Sequence, residues 1–130
     1  MKAVVIRDFG GPEVLSYENV PRPEPGVSEV LIRVHAAGIN PIDWKTRKTG
    51  GLVRAWGGAL PYILGWDVSG VIESVGDDVD GFAVGDAVYG MVRFPQMGAA
   101  YAEYVTAPVT DIAYKPTTLD HFHAAAVPLA

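Results

Sequence analysis

The clearest periodic pattern in the chain runs from Glu29 to Ala36. Val30, Ile32 and Val34 alternate with Leu31, Arg33 and His35, the period-two signature of a strand. Shorter runs predict further strands at Lys2–Arg7, Val14–Glu18, Val68–Val75, Ala87–Val92, Ala100–Thr106 and Asp111–Tyr114. Turn signals separate them: Gly10-Gly11-Pro12, the Pro21–Gly26 stretch with three prolines, and Gly76–Gly81. Gly and Pro punctuate regular structure, because one supplies unusual backbone angles and the other removes a donor. Many short strands with frequent turns predict a mainly β fold, a barrel or sandwich.

Two helices interrupt the pattern. One opens at Asn40-Pro41-Ile42-Asp43 and ends at Gly50-Gly51. Asn is a favoured N-cap, Pro suits the first helical position, and an acid three residues after the cap can bond back to it. Asp43 and Arg47 stand four apart, a spacing that allows an ion pair. The second helix is predicted from Thr117 or Thr118 through Ala126, stopping near Pro128. The Gly50–Gly58 stretch between elements reads either as an apolar lid or as a plain connection.

Composition narrows the class. The chain has 130 residues, 49% of them hydrophobic and 19% charged, enough for one domain with a core and unlike a disordered chain. No apolar run approaches the ~20 residues that span a bilayer. The apolar start, Met1 to Ile6, meets Arg7 and Asp8 at once, which is too short for a secretion signal. With no cysteine, disulfides and thiolate metal sites are out, and a cytoplasmic location is expected. A net charge of -5 argues against nucleic-acid binding. Lys45, Arg47, Lys48 and Arg54 nevertheless cluster, while Asp67 to Asp86 holds acids and no base. These are either two solvated faces or a basic segment that attracts a small phosphorylated ligand.

Several chemistries have no residues to support them. The glycines form neither a dinucleotide nor a P-loop fingerprint. No Ser sits in a nucleophile elbow. His35, His121 and His123 look too scattered for a metal site, and His121 and His123 cannot share a helix face.

Three stretches remain: Ala37–Lys45, Pro61–Ile72, and Gly76 followed by Phe82–Gly90. Together with Met1-Lys2-Ala3-Val4, Gly10–Leu15 and Glu29–Val34, their order and spacing resemble the medium-chain dehydrogenase/reductase superfamily, in its quinone oxidoreductase branch. The resemblance covers the whole chain. It implies that residues 1–130 form a GroES-like, partly open β-barrel with short peripheral helices. It also implies a following Rossmann domain that binds NADPH, with the active site in the cleft between the two. On that reading the chain is the substrate-side domain, inactive alone. The whole protein would reduce quinones or α,β-unsaturated carbonyls, and the resemblance implies a homodimer. The other reading is a non-catalytic GroES-like binding or assembly module.

The resemblance also assigns residues. Zinc-dependent relatives place a Cys where this chain has Asn40, and Gly-His-Glu where it has Gly65-Trp66-Asp67. Zinc needs imidazole, thiolate or carboxylate donors, so no metal is expected. Asn40 and Asp43 are fully explained as helix caps, yet can also face the cleft; with Pro41 and Lys45 they are the expected cofactor contacts. Lys45 is either a solvated helix lysine or the cation that stabilises charge on a reduced enone. Lys45, Asn40 and Asp67 form the expected catalytic set, with Asp67 orienting neighbours such as Arg47. Trp66 is expected to fill the volume left by the missing metal and, with Trp56, to wall the substrate pocket.

Overall fold

The computed structural model describes residues 1–130. Eight strands and three short helices follow one another along the chain. They are β1 (Lys2–Ile6), β2 (Leu15–Asn19), β3 (Glu29–Ala37), α1 (Pro41–Thr49), α2 (Gly51–Ala55), β4 (Tyr62–Ile63), β5 (Asp67–Val75), β6 (Ala87–Met91), β7 (Tyr104–Pro108), β8 (Ile112–Tyr114) and α3 (His121–Ala125). All strand pairing is antiparallel, in a three-stranded sheet ordered β2-β1-β4 and a five-stranded sheet ordered β7-β3-β5-β6-β8.

The predicted strand β3 lies between β7 and β5. Val30 faces Ala107 on one side and Val75 on the other, and Ile32 faces Val105 and Ile72. Val30, Ile32, Val68, Ile72, Val88 and Val105 are buried and form most of the main core. Leu31, assigned by alternation to the opposite face, is buried as well. Irregular register between Leu31 and Ile32, and again between Val34 and Ala36, bends the strand, as bulges do. That curvature gives the sheet its open-barrel form. A second cluster, Ile6, Val53, Tyr62 and Leu64, lies under the small sheet. The two sheets are joined by the Tyr101–Glu103 segment: Val4 N donates to Tyr101 O, and Glu103 N to Lys2 O.

Three expectations need correction. The Ala100–Thr106 strand begins only at Tyr104, because residues before it serve the first sheet. Gly51–Ala55 is a helical turn, nucleated where Gly50 takes the left-handed conformation at φ 82 that closes α1. Helix α3 starts after Asp120, whose carboxylate accepts from His123 N. The threonines belong to the preceding turn, closed by Leu119 N donating to Pro116 O. No helix is long and apolar enough to cross a membrane.

Candidate active site

Strand β3 runs out at Ala37, and the Gly38 amide donates to Asp67 O at the head of β5. This contact lays the Asn40 turn against β5. Asn40 is extended, at φ -123 and ψ 161, and its backbone N donates to Asp43 Oδ2 at 2.7 Å. Both halves of the predicted capping box are present, the Asp43 side chain on the Asn40 backbone and the Asn40 side chain toward the Asp43 backbone. The Asn40 Nδ2 donates to Asp67 Oδ2 at 2.8 Å, and the same oxygen accepts Leu129 N at 3.1 Å. A carboxylate only accepts, so the amide nitrogen must face Asp67, and Asn40 Oδ1 points the other way.

Asp43 and Asp67 are both buried, at 2% and 0% exposure. Neither has a cation against it. Arg47 does not pair with Asp43 and is not held by Asp67. Its Nε donates to Gly10 O, while Gly10 N donates to Arg47 O, and the side chain lines the crevice that reaches Asp43 and Tyr101. The helix spacing allowed the Asp43–Arg47 pair, but Asp43 lies on the inward face with Thr46. Burial pushes the Asp43 carboxyl above its ordinary range; the Asn40 amide opposes that shift and the Asp67 charge adds to it.

Tyr101 completes the cluster, and sequence reasoning missed it. Gly65 sits at φ 90, and a Cβ there would lie 2.5 Å from Tyr101 Cδ1. Only the bare backbone lets the ring pack in. Burial, then the Asp43 charge beside it, push the Tyr101 phenol upward. Tyr101 OH, Asp43 Oδ1, Asp67 Oδ1 and Thr46 Oγ1 are buried without a hydrogen-bond partner among protein atoms. A crevice of about 170 Å³, walled by Leu15, Ile39, Trp44 and Leu64, reaches Asp43 and Tyr101.

The structure thus brings together Asn40, Asp43 and Asp67. Lys45 and Pro41 are exposed, on the outward side of α1. Lys45 Nζ stands 5.6 Å from the Trp44 ring centroid and does not enter the buried cluster. Trp56 is 58% exposed and lines a separate apolar crevice with Leu52, Tyr62 and Met97. Two roles were expected of Trp66, filling volume and walling the pocket; it lines neither this crevice nor the one over Asp43. The indole is 1% exposed, donates Nε1–H to Gln96 O and meets Phe94 edge-on. A large ring with one donor finds its place inside, where both demands are met.

A second polar group was also unforeseen. His35 and His121 stack with centroids 4.4 Å apart. His121 Nδ1 lies 2.7 Å from the buried Ser69 Oγ, which also bonds Val88 O. Only the packing of α3 over β3 and β5 brings these distant residues together.

Two antiparallel sheets, each over its own buried cluster and carrying a polar edge under a capped helix, define a GroES-like β domain. Residues 26–117 match the alcohol dehydrogenase GroES-like domain family, and the chain belongs to that family. It is 41% identical to the quinone oxidoreductase of Rattus norvegicus over 128 residues, 98% of this chain and 37% of the relative. It is 40% identical to a chloroplastic NADPH-dependent alkenal/one oxidoreductase of Arabidopsis thaliana, covering 100% of this chain and 35% of the relative. Among solved structures, the quinone oxidoreductase of Coxiella burnetii superposes with a TM-score of 0.93 at 41% identity, covering 98% of this chain and 41% of that one. The chain therefore spans little more than a third of the length of these curated relatives.

Proposed function

We propose that this chain is the substrate-side domain of an oxidoreductase that reduces quinones or α,β-unsaturated carbonyls with NADPH, and that it works with a nucleotide-binding domain. The observation that carries this reading is the Asn40 amide, fixed by Asp67 at the edge where β3, α1 and β5 meet. A carboxamide facing the nicotinamide carboxamide can exchange a donor for an acceptor, so these residues fit that end of the cofactor. Pro41 and the Asp43-capped turn hold Asn40 in place. NADPH, when bound, supplies the hydride; the protein's part is alignment and electrostatics. Lys45, on the exposed face of the same helix, would meet the substrate oxygen and stabilise the charge that develops there.

The zinc-independent reading is supported by donor chemistry. Trp66 offers no lone pair, Asn40 donates to Asp67, and no three His, Cys, Asp or Glu side chains are grouped to hold a metal ion. Zinc sites need three or four such donors.

The test is a chimera that joins this chain to the nucleotide-binding portion of the rat quinone oxidoreductase. The chain alone is expected not to oxidise NADPH, while the chimera does so with a quinone or an enone. NADPH oxidation by the isolated chain would overturn the division of labour. Lys45→Ala in the chimera is expected to lower kcat about 100-fold, the scale for losing one donor to developing charge. An unchanged kcat removes Lys45 from the chemistry.

A further inference from the structure

Asp67 is fully buried at the head of β5, where a carboxylate is costly unless donors meet it. Two N–H groups reach its side chain, and both reach the same oxygen. Asn40 Nδ2 stands 2.8 Å from Oδ2, and the Leu129 backbone N stands 3.1 Å from it. The first donor comes from the turn before α1. The second comes from the chain beyond α3, 62 residues further along the sequence than Asp67.

Both ends of α3 are fastened so that Leu129 arrives there. At the start of the helix, His121 Nδ1 lies 2.7 Å from Ser69 Oγ, and the ring stacks on His35. Ser69 and Asp67 are two apart on β5 and so share a face, which α3 crosses from one to the other. At the end of the helix, Ala124 and Ala125 are buried. The Ala125 carbonyl lies over Gly38, where a Cβ would stand 2.5 Å from that oxygen and 2.9 Å from Asp67 Cβ. Only a bare backbone lets the helix end come this close to the link between β3 and α1. Turn bonds carry the chain onward, Val127 N donating to Ala124 O and Ala130 N to Val127 O, and Leu129 N faces Asp67.

We propose that Leu129 is a positioning residue of this site: its backbone N–H and the Asn40 amide meet on one oxygen of Asp67, so the docked end of α3 fixes the plane of that carboxylate and, through it, the Asn40 side chain. A carboxylate held by one donor can turn about its Cβ–Cγ bond and offer either oxygen. Two donors that converge on Oδ2 from different elements remove that freedom. The contact uses a main-chain N–H, so it asks nothing of the side chain at position 129, which is 39% exposed. What the Asn40 orientation does for a cofactor rests on the oxidoreductase reading above; the link from Leu129 to Asn40 does not.

The experiment follows the Asn40 side-chain NH2 of the 130-residue chain by NMR at neutral pH, through its 15N relaxation and its exchange with water. Leu129→Pro removes the N–H, while Leu129→Ala keeps it and trims only the side chain. Leu129→Pro is expected to lower the order of the Asn40 amide and to speed its exchange about tenfold, the scale of one lost hydrogen bond. Leu129→Ala is expected to match the parent. Thermal melts in parallel record any loss of stability; a chain that is merely less stable keeps an ordered Asn40 in its folded state. An Asn40 amide as ordered in Leu129→Pro as in the parent overturns the proposal. So does an equal loss of order in Leu129→Ala, which would place the effect in the side chain. If Leu129→Pro fails to fold, His121→Ala decides: it frees the other end of α3 and touches neither Asp67 nor Asn40. Greater Asn40 mobility in that variant supports the link, and unchanged mobility overturns it. Because no turnover is measured, this result and that of the chimera fail independently.

Discussion

Asn40 shows how far single residues could be read. Its N-cap position was legible, because Asn-Pro-x-Asp is a local signal written within four residues. Its attachment to Asp67 was not, because that contact depends on where β3 ends against β5. Asp67 was expected to orient a neighbour, and it does hold one, but Arg47 is not that neighbour. Trp66 left two roles open for a related reason: aromatic type alone does not say whether a ring faces a cleft or fills the interior. Its burial makes a measurable claim. Trp66→Ala removes a fully buried ring and is expected to cost about 3–5 kcal/mol, read from urea unfolding of the parent and the variant. Trp66→Phe keeps much of the volume but removes the hydrogen bond to Gln96 O, a loss of about 0.5–1.5 kcal/mol. Equal stability of all three proteins would mean that the indole is not packed as described.

Among the elements, those with caps or alternation were legible and those set by tertiary contact were not. Helix α1 announced itself through Asn40, Pro41 and the Gly50 stop. Strand β4 has two residues, too short to show any period, and exists because Tyr62 and Ile63 pair with β1. Helix α3 was drawn too long because Thr117 and Thr118 are acceptable caps, yet Asp120 bonds His123 through both its backbone N and its ring. Its docking makes α3 sensitive to acid. His121 rests between His35 and Ser69, with Lys115 and Asp120 also acting on it. Burial first, then His35 and Lys115, lower its pKa from the ordinary 6.5, while Asp120 opposes them. The folded state therefore takes up the proton less readily than the unfolded chain. The associated stability is fully present above pH 6.5 and falls as the pH drops from there toward the lowered folded value. His121→Gln, which cannot charge, is expected to flatten this part of the stability profile in melts between pH 7 and pH 5. An identical acid limb in parent and variant would show that the His35–His121 contact does not control α3.

At the scale of the whole molecule, the fold was legible in class and the site only in part. Short strands, turns and ordered motifs led to a mainly β GroES-like domain. The joining of two sheets through Tyr101–Glu103 left no local trace, and Tyr101 was lost with it. What the molecule leaves exposed bears on its proposed partner. Ile39 is 81% exposed and Trp44 45%, and both wall the crevice over Asp43. Single exposed apolar residues are ordinary, but these flank the amide that is proposed to meet the cofactor. A nucleotide-binding domain closing on this edge would cover them and exclude water from the site, which strengthens every electrostatic contact inside it. In the chimera described above, Trp44 emission is therefore expected to shift to the blue and acrylamide quenching to fall, relative to the isolated chain. Replacing Trp56 with Phe, and leaving the buried Trp66, makes Trp44 the main reporter of solvent. Ile39→Asp places a charge on the same edge, and it should restore quenching and weaken turnover together. If quenching of Trp44 is the same in chain and chimera, the companion domain does not close over this edge. The Asn40 face would then lie outside the cleft.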